Sequence, residues 1–379
     1  MIKKFKILPI FMVIFTIFSI FSIIFIINQN FLSFASSTSA KGMCVIEKDS
    51  GRVLYSKNKD EKLPMASTTK IMTLITALQN CDNLDQYIQV DDSAVGVEGT
   101  SIYLRKDETI KVRDLMYGLM LRSGNDSAVA LACHIGGSVD GFTKLMNELA
   151  VKIGAKNSHF TNPHGLDDKE HYTTAYDLAL ITAYALNNPI FKDIVSTKNY
   201  VIPETNMSET RYLTNKNKLL SCLDGCVGVK TGFTSKAGRC LVSACERDDM
   251  TTVCVVLNCG PMFEESESLL NASFNEYKNT LIIDKNKEIQ NESIVNNVGD
   301  KLYLYANENF YYPLKDNEKD KIKVKYTINK TTANENEEVG FIEVFYDNQL
   351  IKTLKLYTMN KIDKLIESNI LQFDEPNWN

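Results

Sequence analysis

The sequence predicts an α/β (α+β) chain, with helices on a central antiparallel sheet and a small all-β domain after it. Two observations point there. Residues 41–282 run in the order hairpin, helices, three strands, helix, which describes one sheet made from both ends of a domain around an inserted helical block. Beyond residue 283, Ile322, Val324, Tyr326 and Ile328 alternate with Lys321, Lys323, Lys325 and Thr327, the period of a half-buried strand.

Taken in order, Met43 to Glu47 reads as a strand, Asp49-Ser50-Gly51 as a turn, and Arg52 to Ser56 as the hairpin partner. Pro64 to Leu78 is expected to be helical: proline suits a helix start, and Ile71, Leu74, Ile75 and Leu78 share one face. Val112 to Gly136 and Asp140 to Ile153 also have helical character. Thr174 precedes Ala175 to Leu186 as an N-cap, with Asp177 in the first turn. Past Asn199 the period changes. Val227 to Phe233, Gly238 to Ala244 and Thr251 to Asn258 are rich in Val, Leu, Cys and Thr and read as consecutive antiparallel strands. Phe263 to Leu281 is expected as a closing helix with Leu269, Leu270 and Phe274 on one face.

From Ile283 the composition shifts to Asn, Lys and Glu, marking a linker into a β-rich domain over 283–360. There Val339 to Tyr346 and Leu350 to Tyr357 form a hairpin around Asp347-Asn348-Gln349. In the tail, 361–379, Ile362 to Phe373 carries a short apolar stripe with acidic neighbours. It reads as a docking helix, since interfacial membrane helices are usually basic.

Residues 1–40 are a leader. Lys3, Lys4 and Lys6 precede an apolar run from Ile7 to Ile27, then small residues from Ser33 to Ala40 with candidate cleavage points after Ala35 and Ala40. The run is longer than a usual signal-peptide core and reaches the length that spans a bilayer. A cleaved signal peptide is favoured over a retained anchor, and either places the chain after Lys41 outside the cytoplasm. With a net charge of −5 and no basic stripe interleaved with aromatics, nucleic acid is not a partner. The nine cysteines are an odd number for an exported chain, lack a zinc or redox spacing, and read as small apolar residues.

Three motifs carry chemistry. In Ser67-Thr68-Thr69-Lys70, residues three apart share a helix face, so a hydroxyl and an amine meet. A serine becomes a nucleophile when a neighbouring base takes its proton, and a lysine is that base when burial or a nearby cation keeps it neutral. Ser123-Gly124-Asn125 supplies a proton-passing hydroxyl and an amide that can hold a peptide group. Lys230-Thr231-Gly232 lies in a strand: the glycine permits close approach of a ligand backbone, and the cation and hydroxyl suit a carboxylate. Singly each is weak, as the same spacings occur at Ser56 to Lys59 and Ser273 to Asn275. Together, in this order, they are the S-x-x-K, S-x-N and K-T-G set of the penicillin-recognising serine enzymes.

The segments Leu63 to Thr73, Gly118 to Asp126, Asn162 to Asp167 and Gly228 to Thr234 resemble low-molecular-mass penicillin-binding proteins of the serine D-alanyl-D-alanine carboxypeptidase type. The resemblance implies a penicilloyl-transferase (serine β-lactamase-like) fold followed by a β-rich domain. It further implies that Ser67 attacks the bond between two terminal D-alanines of a peptidoglycan stem peptide. Lys70 accepts its proton and Ser123 relays it to the departing amine, with Lys230 holding down the Lys70 pKa. Asn125 holds the substrate amide, Thr231 and Lys230 bind the carboxylate, and the amides of Ser67 and Phe233 form the oxyanion hole beside Gly232. β-Lactams are the implied inhibitors; no metal or other cofactor is. An arginine often found near the carboxylate site in that family has no counterpart after Thr251, leaving Lys216 or Arg211 as stand-ins. The long C-terminal amphipathic anchor of some relatives is missing or much shortened, so membrane attachment falls to the leader. Other readings are an endopeptidase acting on cross-links, which uses the same residues, and a non-catalytic β-lactam sensor. A β-lactamase lacks its deacylating loop here, and the four histidines have no metalloprotease spacing.

Overall fold

A computed structural model describes residues 38–295, 301–330 and 332–362. The leader through residue 37, with its apolar run and the candidate cleavage point after Ala35, and the expected docking helix beyond Ile362 lie outside the described residues.

The strands and helices follow the expected order, with informative differences. Strands β1 (Gly42–Glu47) and β2 (Val53–Lys57) are the hairpin. The expected helix from Pro64 starts later. Leu63 instead makes a bridge with Thr173, Ala66–Thr69 form a 3-10 turn, and α1 is Lys70–Gln79. Short β3 (Tyr87–Gln89) and β4 (Thr109–Lys111) pair with each other. The run expected to be helical from Val112 to Gly136 is interrupted. It divides into α2 (Val112–Tyr117), a π turn Gly118–Arg122, and α3 (Asn125–Gly136), because Ser123 adopts a left-handed φ of 64°.

Helix α4 (Val139–Ile153) is capped by Ser138 and stopped by left-handed Gly154. The Thr174 hydroxyl accepts from Asp177 N–H at 3.0 Å and opens α5 (Ala175–Leu186) as expected. Sequence periodicity did not show α6 (Pro189–Ser196), the hairpin β5 (Asn199–Ile202) and β6 (Arg211–Thr214), or the single-turn α7 (Leu219–Cys222). All are short. Strands β7 (Cys226–Thr234), β8 (Gly238–Arg247) and β9 (Met250–Leu257) match the three predicted. The main sheet runs β2-β1-β9-β8-β7, so strands from both ends of the domain do share it, and β7 is its edge. Helix α8 (Met262–Glu276) ends earlier than expected, since Lys278–Ile283 forms β10. The Thr280-to-Ile283 stretch carries branched side chains that favour strand over helix.

Contacts divide the chain into two units. The first comprises the chain up to Val45 with Tyr55–Ser243 and Cys254–Leu269. Its helical core includes Leu74, Ile75, Leu115, Leu131 and Phe142, all buried. Its first described residues are fastened: the Thr38 hydroxyl and the Ser39 N–H both donate to the Glu265 carboxylate, and Lys57 Nζ donates to the Thr38 carbonyl at 2.6 Å.

The second unit comprises Ile46–Leu54, Ala244–Val253 and the chain from Leu270. It contains β11 (Ile289–Val295), β12 (Lys301–Ala306), β13 (Phe310–Leu314), β14 (Ile322–Ile328), β15 (Glu338–Tyr346) and β16 (Gln349–Thr358). The sheet order is β11-β12-β16-β15-β14, with β10 paired to β13. The predicted β15–β16 hairpin turns at Asp347 and Asn348, both at positive φ (50° and 63°), as a two-residue hairpin turn requires. Within this unit Arg52 pairs with Glu318 at 2.8 Å and lies over the rings of Tyr277, Tyr312 and Tyr346.

None of the nine cysteines is in a disulfide, and Cys44, Cys240, Cys245, Cys254 and Cys259 are buried. Burial pushes the Cys44 thiol up to about 12, as expected of a packing residue rather than a reactive one.

Candidate active site

The three motifs belong to the first unit, and Ser67, Lys70 and Asn125 are joined by hydrogen bonds. Ser67 is the second residue of the 3-10 turn. In that helix positions i and i+3 eclipse, so the spacing that suits an α-helix face works more directly here. Lys70 Nζ lies 3.0 Å from Ser67 Oγ. The neighbouring strand β7 passes so close that a Cβ on Gly232 would sit 3.0 Å from Ser67 N and 3.1 Å from Met65 O. The glycine expected to admit a ligand thus also admits the nucleophile turn itself.

Lys70 is fully buried. It donates to Asn125 Oδ1 and to the His164 carbonyl, each at 2.7 Å. Neither acceptor has a proton to return. An amine that spends two N–H groups on them turns its third position toward Ser67 Oγ. At that position Nζ donates to Ser67 Oγ, and the same contact reversed is the one through which an amine that has lost its proton accepts the hydroxyl proton. Burial holds the Lys70 pKa well below the usual lysine range, followed by the charges of Lys230 and Lys216; Asp126 pulls the other way.

Ser123 sits in the left-handed turn between the π turn and α3 and is buried. A non-glycine residue there is strained and is held by its surroundings. Gly124 N–H reaches back to Gly118 O at 3.1 Å, and Asn125 N–H donates to Thr100 O at 2.7 Å. Asn125 is more occupied than its motif suggests. Its Oδ1 accepts from Lys70 and its Nδ2 donates to Glu98 O at 2.6 Å, leaving one N–H for a substrate.

On β7, Lys230 is buried and Nζ donates to Thr231 O at 2.9 Å. Burial and Lys216 bring its pKa down to about 7. Thr231 is half-buried, and Phe233 is 65% exposed. Of the two candidate stand-ins for a carboxylate arginine, Arg211 is committed elsewhere. It pairs with the fully buried Glu108 at 2.7 Å and donates to Ile102 O at 2.9 Å. Lys216 is exposed, and its charge is felt by both Lys70 and Lys230.

His164 lies in the Asn162-to-Asp167 segment, and its carbonyl holds Lys70. Its imidazole stays neutral, with burial and the Lys70 charge bringing its pKa to about 3. Glu98 and His171 were not anticipated. Gly165 and His164 lie in the quoted Asn162-to-Asp167 segment, whereas Glu98 contributes only a carbonyl, for which no side-chain signal exists. Among the described residues no cluster of three or more His, Cys, Asp or Glu could hold a metal ion.

The sequence matches the D-alanyl-D-alanine carboxypeptidase family over residues 29–260 and the penicillin-binding protein 5 C-terminal domain over residues 277–364. It is 32% identical over 257 residues to D-alanyl-D-alanine carboxypeptidase DacF of Bacillus subtilis, covering 66% of each chain. Among solved structures it is similar to penicillin-binding protein 5 from Haemophilus influenzae: TM-score 0.72, 27% identity, covering 86% of this chain and 98% of that one. It is likewise similar to D-alanyl-D-alanine carboxypeptidase DacD from Francisella tularensis, with TM-score 0.68 and 26% identity over 86% and 94% of the two chains.

Proposed function

The chain belongs to the D-alanyl-D-alanine carboxypeptidase family, and from that membership we propose that it removes the terminal D-alanine of peptidoglycan stem peptides through an acyl-enzyme on Ser67. The observation that carries this reading is the Lys70 amine, deprived of solvent, tied by two acceptors and facing Ser67 Oγ at 3.0 Å.

In the proposed reaction Lys70 Nζ takes the Ser67 proton as Oγ bonds to the penultimate D-alanine carbonyl. The amides of Ser67 and Phe233 receive the developing oxyanion; losing one such donor typically costs about 10²–10³ in rate. The C–N bond then breaks, and a proton passing through Ser123 goes to the departing D-alanine amine. Water adds to the acyl carbon, and Ser67 Oγ leaves with a proton. Lys230 and Thr231 suit the free C-terminal carboxylate, and the remaining Asn125 N–H suits the substrate amide. A β-lactam enters by the same attack and leaves Ser67 acylated.

The leader supports action outside the cytoplasm, on the cell wall or the outer face of the membrane. Among the described residues no helix is long and apolar enough to cross a membrane. Of the two candidate cleavage points, Ala35 is favoured, because a cut after Ala40 deletes the Thr38 and Ser39 bonds to Glu265.

The test is incubation of the purified chain with a fluorescent penicillin and with a D-Ala-D-Ala-terminated peptide, beside Ser67→Ala. Labelling and D-alanine release are both expected, and both are expected to vanish in Ser67→Ala. Labelling without release points to the cross-link endopeptidase or the sensor, and absence of labelling refutes the reading.

A further inference from the structure

A second chain of hydrogen bonds, separate from those of Lys70, converges on the nucleophile turn. Ala66, immediately before Ser67, is buried and holds a left-handed φ of 50°, which a non-glycine residue keeps only when its surroundings impose it. Its carbonyl accepts the Thr69 hydroxyl proton at 2.8 Å. Thr69 has spent its one proton there, so its oxygen is an acceptor toward His171 Nε2, also at 2.8 Å.

The other ring nitrogen settles the tautomer. His171 Nδ1 faces Thr161 N–H at 3.1 Å and therefore accepts. The imidazole proton is on Nε2 and donates to Thr69. His171 and Thr69 are both buried, and the Phe160 ring stands edge-on to the imidazole at 5.9 Å. Thr161 begins the same loop whose Pro163 carbonyl accepts from Thr73 and whose His164 carbonyl accepts from Lys70. Gly165 of that loop lies on the Ala66 carbonyl, where an added Cβ would be 2.0 Å from the oxygen.

We propose that His171 is a positioning residue for the reaction: through Thr69 it holds the Ala66 carbonyl, and with it the left-handed turn that aims Ser67 at the substrate carbonyl. The imidazole touches neither nucleophile nor base. It acts through Thr69 on the Ala66 carbonyl, just before the nucleophile, and this role rests on Ser67 being the nucleophile.

The experiment measures acylation rate constants with a fluorescent penicillin, together with thermal unfolding, in the full chain. The variants are His171→Phe, His171→Gln, Thr69→Val, Thr69→Ser and Ser67→Ala. Misplacement of reacting groups by about 1 Å costs up to ~10²-fold. His171→Phe and Thr69→Val are therefore expected to acylate about tenfold to a hundredfold more slowly per folded molecule. Their half-saturating concentration should change little. Gln, which keeps a donor near the Nε2 position, and Ser, which keeps the hydroxyl, should recover most of the rate. The Phe/Val double variant should be no slower than either single variant, since both break one relay. Wild-type acylation in the folded Phe and Val variants, or a Gln variant as slow as Phe, overturns the proposal. If His171→Phe does not fold, the Thr69 pair decides by the same criteria. Labelling that persists in Ser67→Ala instead refutes the nucleophile assignment.

Discussion

Replacing Gly165 by alanine tests whether the loop over the nucleophile turn is as close as the structure places it. An added Cβ would stand 2.0 Å from the Ala66 oxygen, 2.4 Å from its carbon and 2.9 Å from Thr69 Oγ1, whereas ordinary contact begins at 3.4 Å. About 1.4 Å of separation must be found from rigid backbone on both sides. Gly165 also has φ +93°, which costs an alanine roughly 1–2 kcal/mol by itself. That strain alone lowers the melting temperature by a few degrees in a chain of this size, at about 2–4 °C per kcal/mol. The displacement, in contrast, falls on the residue preceding Ser67, and a shift near 1 Å at the reacting atom costs about 10²-fold in rate. The assay is acylation by a fluorescent penicillin beside D-alanine release, with unfolding followed by circular dichroism. Gly154→Ala is the control: it has nearly the same φ, +91°, but nothing within 4 Å of an added Cβ. It should melt earlier and acylate at the wild-type rate. Gly165→Ala behaving like Gly154→Ala would refute the reasoning.

Two pH experiments follow from the buried cations and histidines. The His171 pKa falls from about 6.5 to about 4, through burial first, with Asp168 opposing and His159 and Lys70 assisting. A depressed folded-state pKa means the unfolded chain takes the proton first. Stability is therefore fully present above pH 6.5 and declines as pH falls toward 4, by about 3 kcal/mol for this one group. Urea midpoints between pH 7 and 4 should show the decline, with a shallower slope in His171→Gln; equal slopes would count against a buried neutral imidazole. Lys216→Met removes a positive charge that lowers both Lys70 and Lys230. Both pKa values then rise, and the acidic limb of the acylation pH profile moves to higher pH; an unmoved limb contradicts the coupling.

Much of the site was legible because its chemistry is local. Ser67 and Lys70 are three residues apart, so any helical turn brings them together. Lys230, Thr231 and Gly232 are consecutive on one strand, and the alternation of Ile322 to Ile328 is carried by the residues themselves. Short elements were not legible. A strand of three or four residues, such as β3 or β6, is too brief for a period, and α6 is barely two turns. The early end of α8 escaped notice because Leu281 and Ile282 extend the apolar content of the helix without belonging to its face.

The sequence by itself determined the candidate reactive groups, their order, the sheet built from both ends of residues 41–282, and the β hairpin around Asp347-Asn348-Gln349. Only the tertiary structure decided which state those groups adopt. The lowered pKa of Lys70 comes first from lost solvent and then from Lys230, which is remote in the chain. Asn125 proved half-occupied and Arg211 unavailable because of partners at Glu98 and Glu108. The turn that presents Ser67 is held by Gly165 and His171, about a hundred residues away. A pattern of residue types records which atoms are present. Their protonation and aim depend on distance and burial, which arise only when distant segments pack.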